Sequence, residues 1–127
     1  NLNKNKENIK KAGIVYVAEG EKSVLQAESF NEPNCVVAVC GSQFNKFQLN
    51  LLLKLCAPHE VVICFDKEED NNNSYFNKLW KICDKYKQYC KFSFVYDKEN
   101  LLKLKESPFD RGEEVFKKLI QERIVVK

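Results

Sequence analysis

Short apolar runs alternate along this chain with longer stretches in which apolar residues recur every three or four positions. That is the pattern of buried strands interleaved with amphipathic helices. Residues 14–18 and 61–65 are unbroken runs rich in Val and Ile, as strands covered on both faces tend to be, and 35–39 and 92–96 read the same way. Between them, Val24, Leu25 and Ala27 predict an inward helix face. Phe44, Phe47, Leu51, Leu52 and Leu55 predict a second helix, ended by Pro58, and Phe76, Leu79, Trp80, Cys83 and Tyr86 predict a third. Ser107 and Pro108 break the chain. Asp110 followed by Glu113 resembles a capping box for a last helix carrying Val115, Phe116, Leu119 and Ile120, with a short strand over 124–126 after it.

This order calls for a three-layer α/β domain. Its centre is a mainly parallel sheet of about four strands joined by right-handed crossovers, with helices on both faces. Residues 1–12, polar and rich in Asn and Lys, fit neither pattern and read as a linker remnant, leaving 13–127 as a single domain. The sequence contains no Met, which favours a domain excised from a longer protein. No apolar run approaches the ~18 residues of a membrane span and the start lacks a secretory h-region, so the expectation is an intracellular, cytoplasmic protein with no membrane partner.

Candidate chemistry gathers where strands end, since ligands of open α/β sheets bind outside the carboxyl edge. Glu19 ends the first run and is followed by Gly20, which would allow a tight turn. Asp66 and Glu68 end the third, with Lys67 between them, and Asp97 ends the fourth. In extended backbone Asp66 and Glu68 would share one side and Lys67 would turn aside. Converging carboxylates need neutralising, and hard oxygen ligands with room for water and phosphate suit Mg²⁺. From the pattern alone, a divalent-metal site for phosphoryl chemistry and a set of solvated caps and loop acids both stand.

Composition narrows the options further. The six cysteines contain no C-x-x-C pair, so zinc is not expected, and they read as reduced small hydrophobes. A net charge of +3 permits a nucleic-acid partner without demanding one. Lys78, Lys81 and Lys85 would share one helix face, read as solvated, and Trp80 is expected in the core. The G-x-G-x-x-G, P-loop and G-x-S-x-G motifs are absent.

The segment from Val17 through Gly20 to Leu25 resembles the glutamate motif of Toprim domains, the catalytic modules of DnaG-type primases, type IA and type II topoisomerases and some nucleases. The run from Val37 to Gly41 and Ser42 occupies the place of that family's second strand and glycine turn. Phe65-Asp66-Lys67-Glu68 occupies the place of its D-x-D motif, with Glu68 where a second aspartate is usual. The resemblance is closest to phage and mobile-element primases. It implies a Rossmann-like Toprim fold, with Glu19, Asp66 and Glu68 as catalytic residues and Mg²⁺ (or Mn²⁺) ligands, Lys22 and Lys67 beside phosphates, and Gly20 and Gly41 shaping the turns. It further implies DNA primase-type nucleotidyl transfer, making RNA primers for DNA replication, in a fragment not active alone. Nucleoside triphosphates and a single-stranded DNA template would be held through flanking domains, with a replicative helicase as a further partner. A metal-dependent Toprim nuclease and a degenerate Toprim binding or assembly module, motivated by Glu68, are the alternatives. Lys105, Glu106 and Asp110 resemble a segment that follows the last strand in primases, and no role is transferred to them.

Overall fold

The apolar runs become strands. In the computed structural model, which describes the backbone of residues 2–127 and side chains from residue 4 onward, β1 (Ile14–Ala18), β2 (Val36–Ala38), β3 (Glu60–Cys64), β4 (Lys91–Phe94) and β5 (Ile124–Val126) form one sheet. The strand order is β2-β1-β3-β4-β5. The first four are parallel and β5 is antiparallel to β4. β1 lies between β2 and β3, so Ala18 is paired with both Ala38 and Cys64, and the chain leaves β1 and β3 side by side.

The helices are α1 (Leu2–Ala12), α2 (Glu21–Ala27), α3 (Lys46–Leu55), α4 (Ser74–Tyr86) and α5 (Glu113–Gln121). Strand alternation sorts the core into two layers. Val15, Val17, Val61, Ile63, Phe92 and Phe94 pack with Ile9 of α1, Leu49 and Leu52 of α3, and Leu79, Cys83 and Tyr86 of α4. Ala18, Val62 and Cys64 pack on the other side with Val24 and Ala27 of α2 and Phe116 and Leu119 of α5. Phe92 and Phe94 are fully buried, and truncating either to Ala would cost about 3–5 kcal/mol through lost burial and a cavity.

The segment read as a linker is a docked helix; Asn1 alone lies outside the described residues. Ile9 of α1 is fully buried, the Asn5 side-chain amide donates to the Val36 carbonyl at 2.7 Å, and that of Asn8 donates to the Asn34 carbonyl at 3.0 Å. Asparagine amides do the docking here, so composition alone suggested a linker. Gly13 stops α1 in a left-handed conformation (φ 75°), and a Cβ there would meet the His59 ring at 2.9 Å. Its amide closes the helix end on the Ile9 carbonyl at 2.8 Å.

Other expectations also shift. Leu25, Phe47 and Trp80 were expected inward but are exposed, because each lies off its helix's buried stripe. Cys40, expected as a buried hydrophobe, is exposed, while all six thiols are free. Asp110 and Glu113 make no capping box. α5 begins after Gly112, since Asp110 binds its own loop and Gln26, and Glu113 accepts from the Asn31 amide at 2.9 Å. Among the described residues no helix is long and apolar enough to cross a membrane.

Candidate active site

The acids meet at the carboxyl edge of β1 and β3. Glu19 leaves β1 and accepts, through Oε2, the Asp66 backbone N–H at 2.7 Å, so the two strand ends are tied by one charged hydrogen bond. The Asp66 carbonyl in turn accepts the Tyr75 hydroxyl at 2.7 Å, which anchors the chain leaving β3 to the start of α4. Burial first, then the negative charges of Glu19, Asp110 and Glu68, push the Asp66 carboxyl up to about 6, against a lowering pull from Lys22. Four carboxylates therefore share one field.

Asp110 is the member the sequence left without a role. It comes from the loop before α5, where Oδ2 accepts the Ser107 amide at 2.8 Å and Oδ1 accepts the Gln26 side-chain amide at 2.6 Å. The Lys22 ammonium lies 3.6 Å from the same Oδ1. Burial would raise the Asp110 carboxyl, but Gln26, the Ser107 amide and Lys22 outweigh it and hold the group below its usual value. The signal was in the segment from Lys105 to Asp110, but only the fold shows that this loop returns to α2.

The i and i+2 geometry expected of Asp66 and Glu68 does not hold, because β3 ends at Cys64, before either residue. Glu68 turns to α4, 3.5 Å from the Lys78 ammonium. Among the described residues no group of three His, Cys, Asp or Glu side chains is placed to hold a metal ion. The expected cage of Glu19, Asp66 and Glu68 is thus not assembled, since Glu19 is engaged by the Asp66 amide and Glu68 by Lys78. The donor chemistry still fits Mg²⁺, which takes one or two carboxylates and keeps several waters or phosphate oxygens. Asp66 is the carboxylate most crowded by like charges, with Glu19, Asp110 and Glu68 all raising it.

Lys67 was expected beside phosphate, and the structure corrects this. Its ammonium lies 3.0 Å from Asp97 Oδ2 and 2.9 Å from the Leu102 carbonyl, and also donates to the Asn100 side chain. Three donors meet three acceptors, so none is left for a ligand. Asp97 also accepts the Leu101 and Leu102 amides, at 2.9 and 2.7 Å. Burial would raise its carboxyl, but these amides and Lys67 reverse that and hold it low, as expected of a loop anchor rather than a site acid. Lys22 is 80% exposed, with Asp110 as its acidic neighbour.

The two turn glycines differ. Gly41 has φ 139° and follows Cys40 at φ 59°, and its amide donates to the Glu19 carbonyl at 3.0 Å, so this left-handed turn braces the backbone at Glu19. Gly20, expected to permit a tight turn, is extended (φ −137°) with open space where a Cβ would stand, and nothing in the backbone requires glycine there. A cleft of about 1250 Å³ carries none of the four acids. It lies between α1, the 30–36 segment and α5, and Tyr16, Phe30, Phe109 and Phe116 line it.

The fold and its acid edge can now be set against known proteins. The chain matches the Aquifex aeolicus primase (zinc binding and RNA polymerase domains) with a TM-score of 0.66 and 24% identity over 96% of this chain and 28% of that one. It has a DnaG-like Toprim fold. The RNA polymerase domain of Mycobacterium tuberculosis primase DnaG matches at TM-score 0.62 and 19% identity, over 94% of this chain and 39% of that one. A DnaG primase catalytic domain bound to ssDNA matches at 0.62 and 18%, over 89% and 34%. In sequence, the SPbeta prophage-derived uncharacterized protein YorJ of Bacillus subtilis (strain 168) is 33% identical over 138 aligned positions. That alignment covers 98% of this Toprim-fold chain and 36% of YorJ, so the chain spans about a third of its curated relative. No protein-family model matches the chain.

Proposed function

We propose that this domain is the Mg²⁺-dependent nucleotidyl-transfer module of a DnaG-like primase. The observation that carries the reading is the convergence of Glu19, Asp66, Glu68 and Asp110 at one sheet edge, felt by Asp66 as a carboxyl pushed up to about 6. A set of loop caps would not crowd one another in this way. When bound, Mg²⁺ neutralises charge on the reacting phosphate and the leaving oxygens. Asp66 supplies the anionic oxygen for the ion, with Glu19 fixing the β1 and β3 ends at a constant separation through the Asp66 amide. Lys22 meets phosphate from the α2 side. Template and nucleotide are gripped mainly by parts of a longer protein, so the isolated chain makes little or no primer.

Two of the four acids already have lysine partners, Glu68 with Lys78 and Asp110 with Lys22, and this favours a second reading, a binding or assembly module without catalysis. A calorimetric or NMR titration with Mg²⁺ and Mn²⁺ separates the two. Binding at millimolar metal that disappears in a folded Asp66→Asn/Glu68→Gln variant is the expected result. Absence of binding in the wild-type chain, with or without added nucleoside triphosphate, would leave the binding module as the better account.

A further inference from the structure

α3 carries apolar side chains on both of its sides. Leu49 and Leu52, with Cys56 at the C-terminal cap, face the core, whereas Phe47 and Leu51, one turn apart on the opposite side, are 71% and 37% exposed. Lys54 follows Phe47 by two turns and shares this outer line, which runs about 10 Å along the axis. At the start of the helix the Lys46 ammonium donates to the Tyr89 hydroxyl at 2.8 Å and lies 4.7 Å from that ring's centre, and Tyr89 is itself 42% exposed. Among the described residues, Phe47, Leu51 and Tyr89 are three of the six exposed large apolar side chains, and they gather on one surface instead of standing singly.

The charge on this surface has one sign. α3 contains no acid, and Lys46 and Lys54 have no carboxylate partner among the described residues. At the far end, burial raises the Cys56 thiol while Lys10 and Lys6 of α1 pull it down, so two more ammonium groups stand near the end of α3. Glu7, the acid that opposes them, lies 3.6 Å from Lys10. Lys6, Lys46 and Lys54 are left uncompensated around the exposed apolar pair.

An occupant of this face must be apolar along one line and acidic beside it. Positions i, i+4 and i+7, as at Phe47, Leu51 and Lys54, are the spacing by which one amphipathic helix is laid against another. A second copy of the chain would set lysine against lysine along the seam, and like charges oppose that pairing. Nucleic acid would use the lysines but gain nothing from Leu51, which has no ring for a base to stack on.

We propose that the outer face of α3 docks an acidic amphipathic helix of a partner protein, with aliphatic side chains against Phe47 and Leu51 and carboxylates beside Lys6, Lys46 and Lys54. Burial of the apolar pair drives the association, and the lysines set its register and select against basic partners. None of these residues belongs to the acid edge, so the proposal does not rest on metal binding or catalysis there.

The test uses the whole chain and a dye-labelled helical peptide of about eighteen residues, with leucines at i, i+4 and i+7 and glutamates flanking them. The expected result is saturable binding that weakens as salt rises, with NMR amide shifts confined to α3, Tyr89 and the adjoining part of α1. Phe47→Ser/Leu51→Ser is expected to weaken binding at least about tenfold, and Lys54→Glu severalfold with a shallower salt dependence. These positions are exposed, so urea unfolding of the variants should stay close to wild type, which separates lost docking from lost fold. Equal binding of a peptide of the same composition with scattered leucines, shifts outside this face, unchanged affinity in the double variant, or no binding at low salt would each overturn the proposal. So would dimerisation of the chain that the double variant abolishes, or displacement of the peptide by an oligothymidylate. Asp66→Asn is expected to bind the peptide as the wild type does, so a failed metal titration removes the catalytic reading alone.

Discussion

Asp66 shows how one carboxyl can be costly to a fold and useful to a site. In the unfolded chain it titrates near the ordinary aspartate value, while in the folded protein burial and the neighbouring acids push it up to about 6. A folded value above the unfolded one means the stabilising contribution is complete below about pH 4 and is lost as pH rises through about 6. At neutral pH the ionised group therefore opposes folding. Asp66→Asn is expected to stabilise the domain by about 1–2 kcal/mol at pH 7.5, after discounting for solvent screening at a partly exposed carboxylate, and by almost nothing at pH 4. Urea unfolding of both proteins at the two pH values checks this, and a gain over wild type no larger at pH 7.5 than at pH 4 would contradict it. At the same scale, Glu19→Gln should stay folded, since the amide oxygen can still accept from Asp66, while Glu19→Ala loses about 1–2 kcal/mol with that charged hydrogen bond.

Between elements, Lys67 shows how a residue within a motif can serve the scaffold. It joins the end of β3 to the 97–102 loop through Asp97, Asn100 and the Leu102 carbonyl, and its own amide and carbonyl pair with Glu106 and Lys105. Asp97 is 3% exposed, so Lys67→Ala strands a buried carboxylate on two backbone amides. The expected cost is about 2–3 kcal/mol, with faster hydrogen exchange at Leu101 and Leu102. Lost phosphate affinity at unchanged stability would instead restore the phosphate role. Motif spacing placed Lys67 between two acids correctly, but the partner that saturates it lies 30 residues away.

Across the whole molecule, an ion pair just before β5 reinforces that strand's pairing with β4. Arg123 donates to both oxygens of Glu60, at 2.7 and 2.9 Å, and the Ser93 hydroxyl adds 2.6 Å from β4, so β3, β4 and the approach to β5 share a network. Burial alone would raise the Glu60 carboxyl, but Arg123 and Ser93 more than reverse it and hold the group below its usual value. Its contribution is therefore present above the unfolded value and is lost as pH falls below it. Arg123→Ala is expected to cost about 2–3 kcal/mol at pH 7, and the Glu60→Ala/Arg123→Ala double variant less than the two single losses added together, as urea titrations would show.

The alternation of strands and helices and the mainly parallel sheet were legible in the sequence, as was the placing of Glu19 just past β1 and Asp66 in the chain leaving β3, because periodicity and the order of residues after an apolar run are local properties of the chain. Tertiary structure decided the rest. It showed that α1 docks through asparagine amides, that Asp110 joins the acids, that Lys67 is spent on the scaffold and that Trp80 stands at the surface. Each of these depends on a partner distant in the chain, and local pattern carries no information about which distant group will arrive to satisfy a charge or a hydrogen bond.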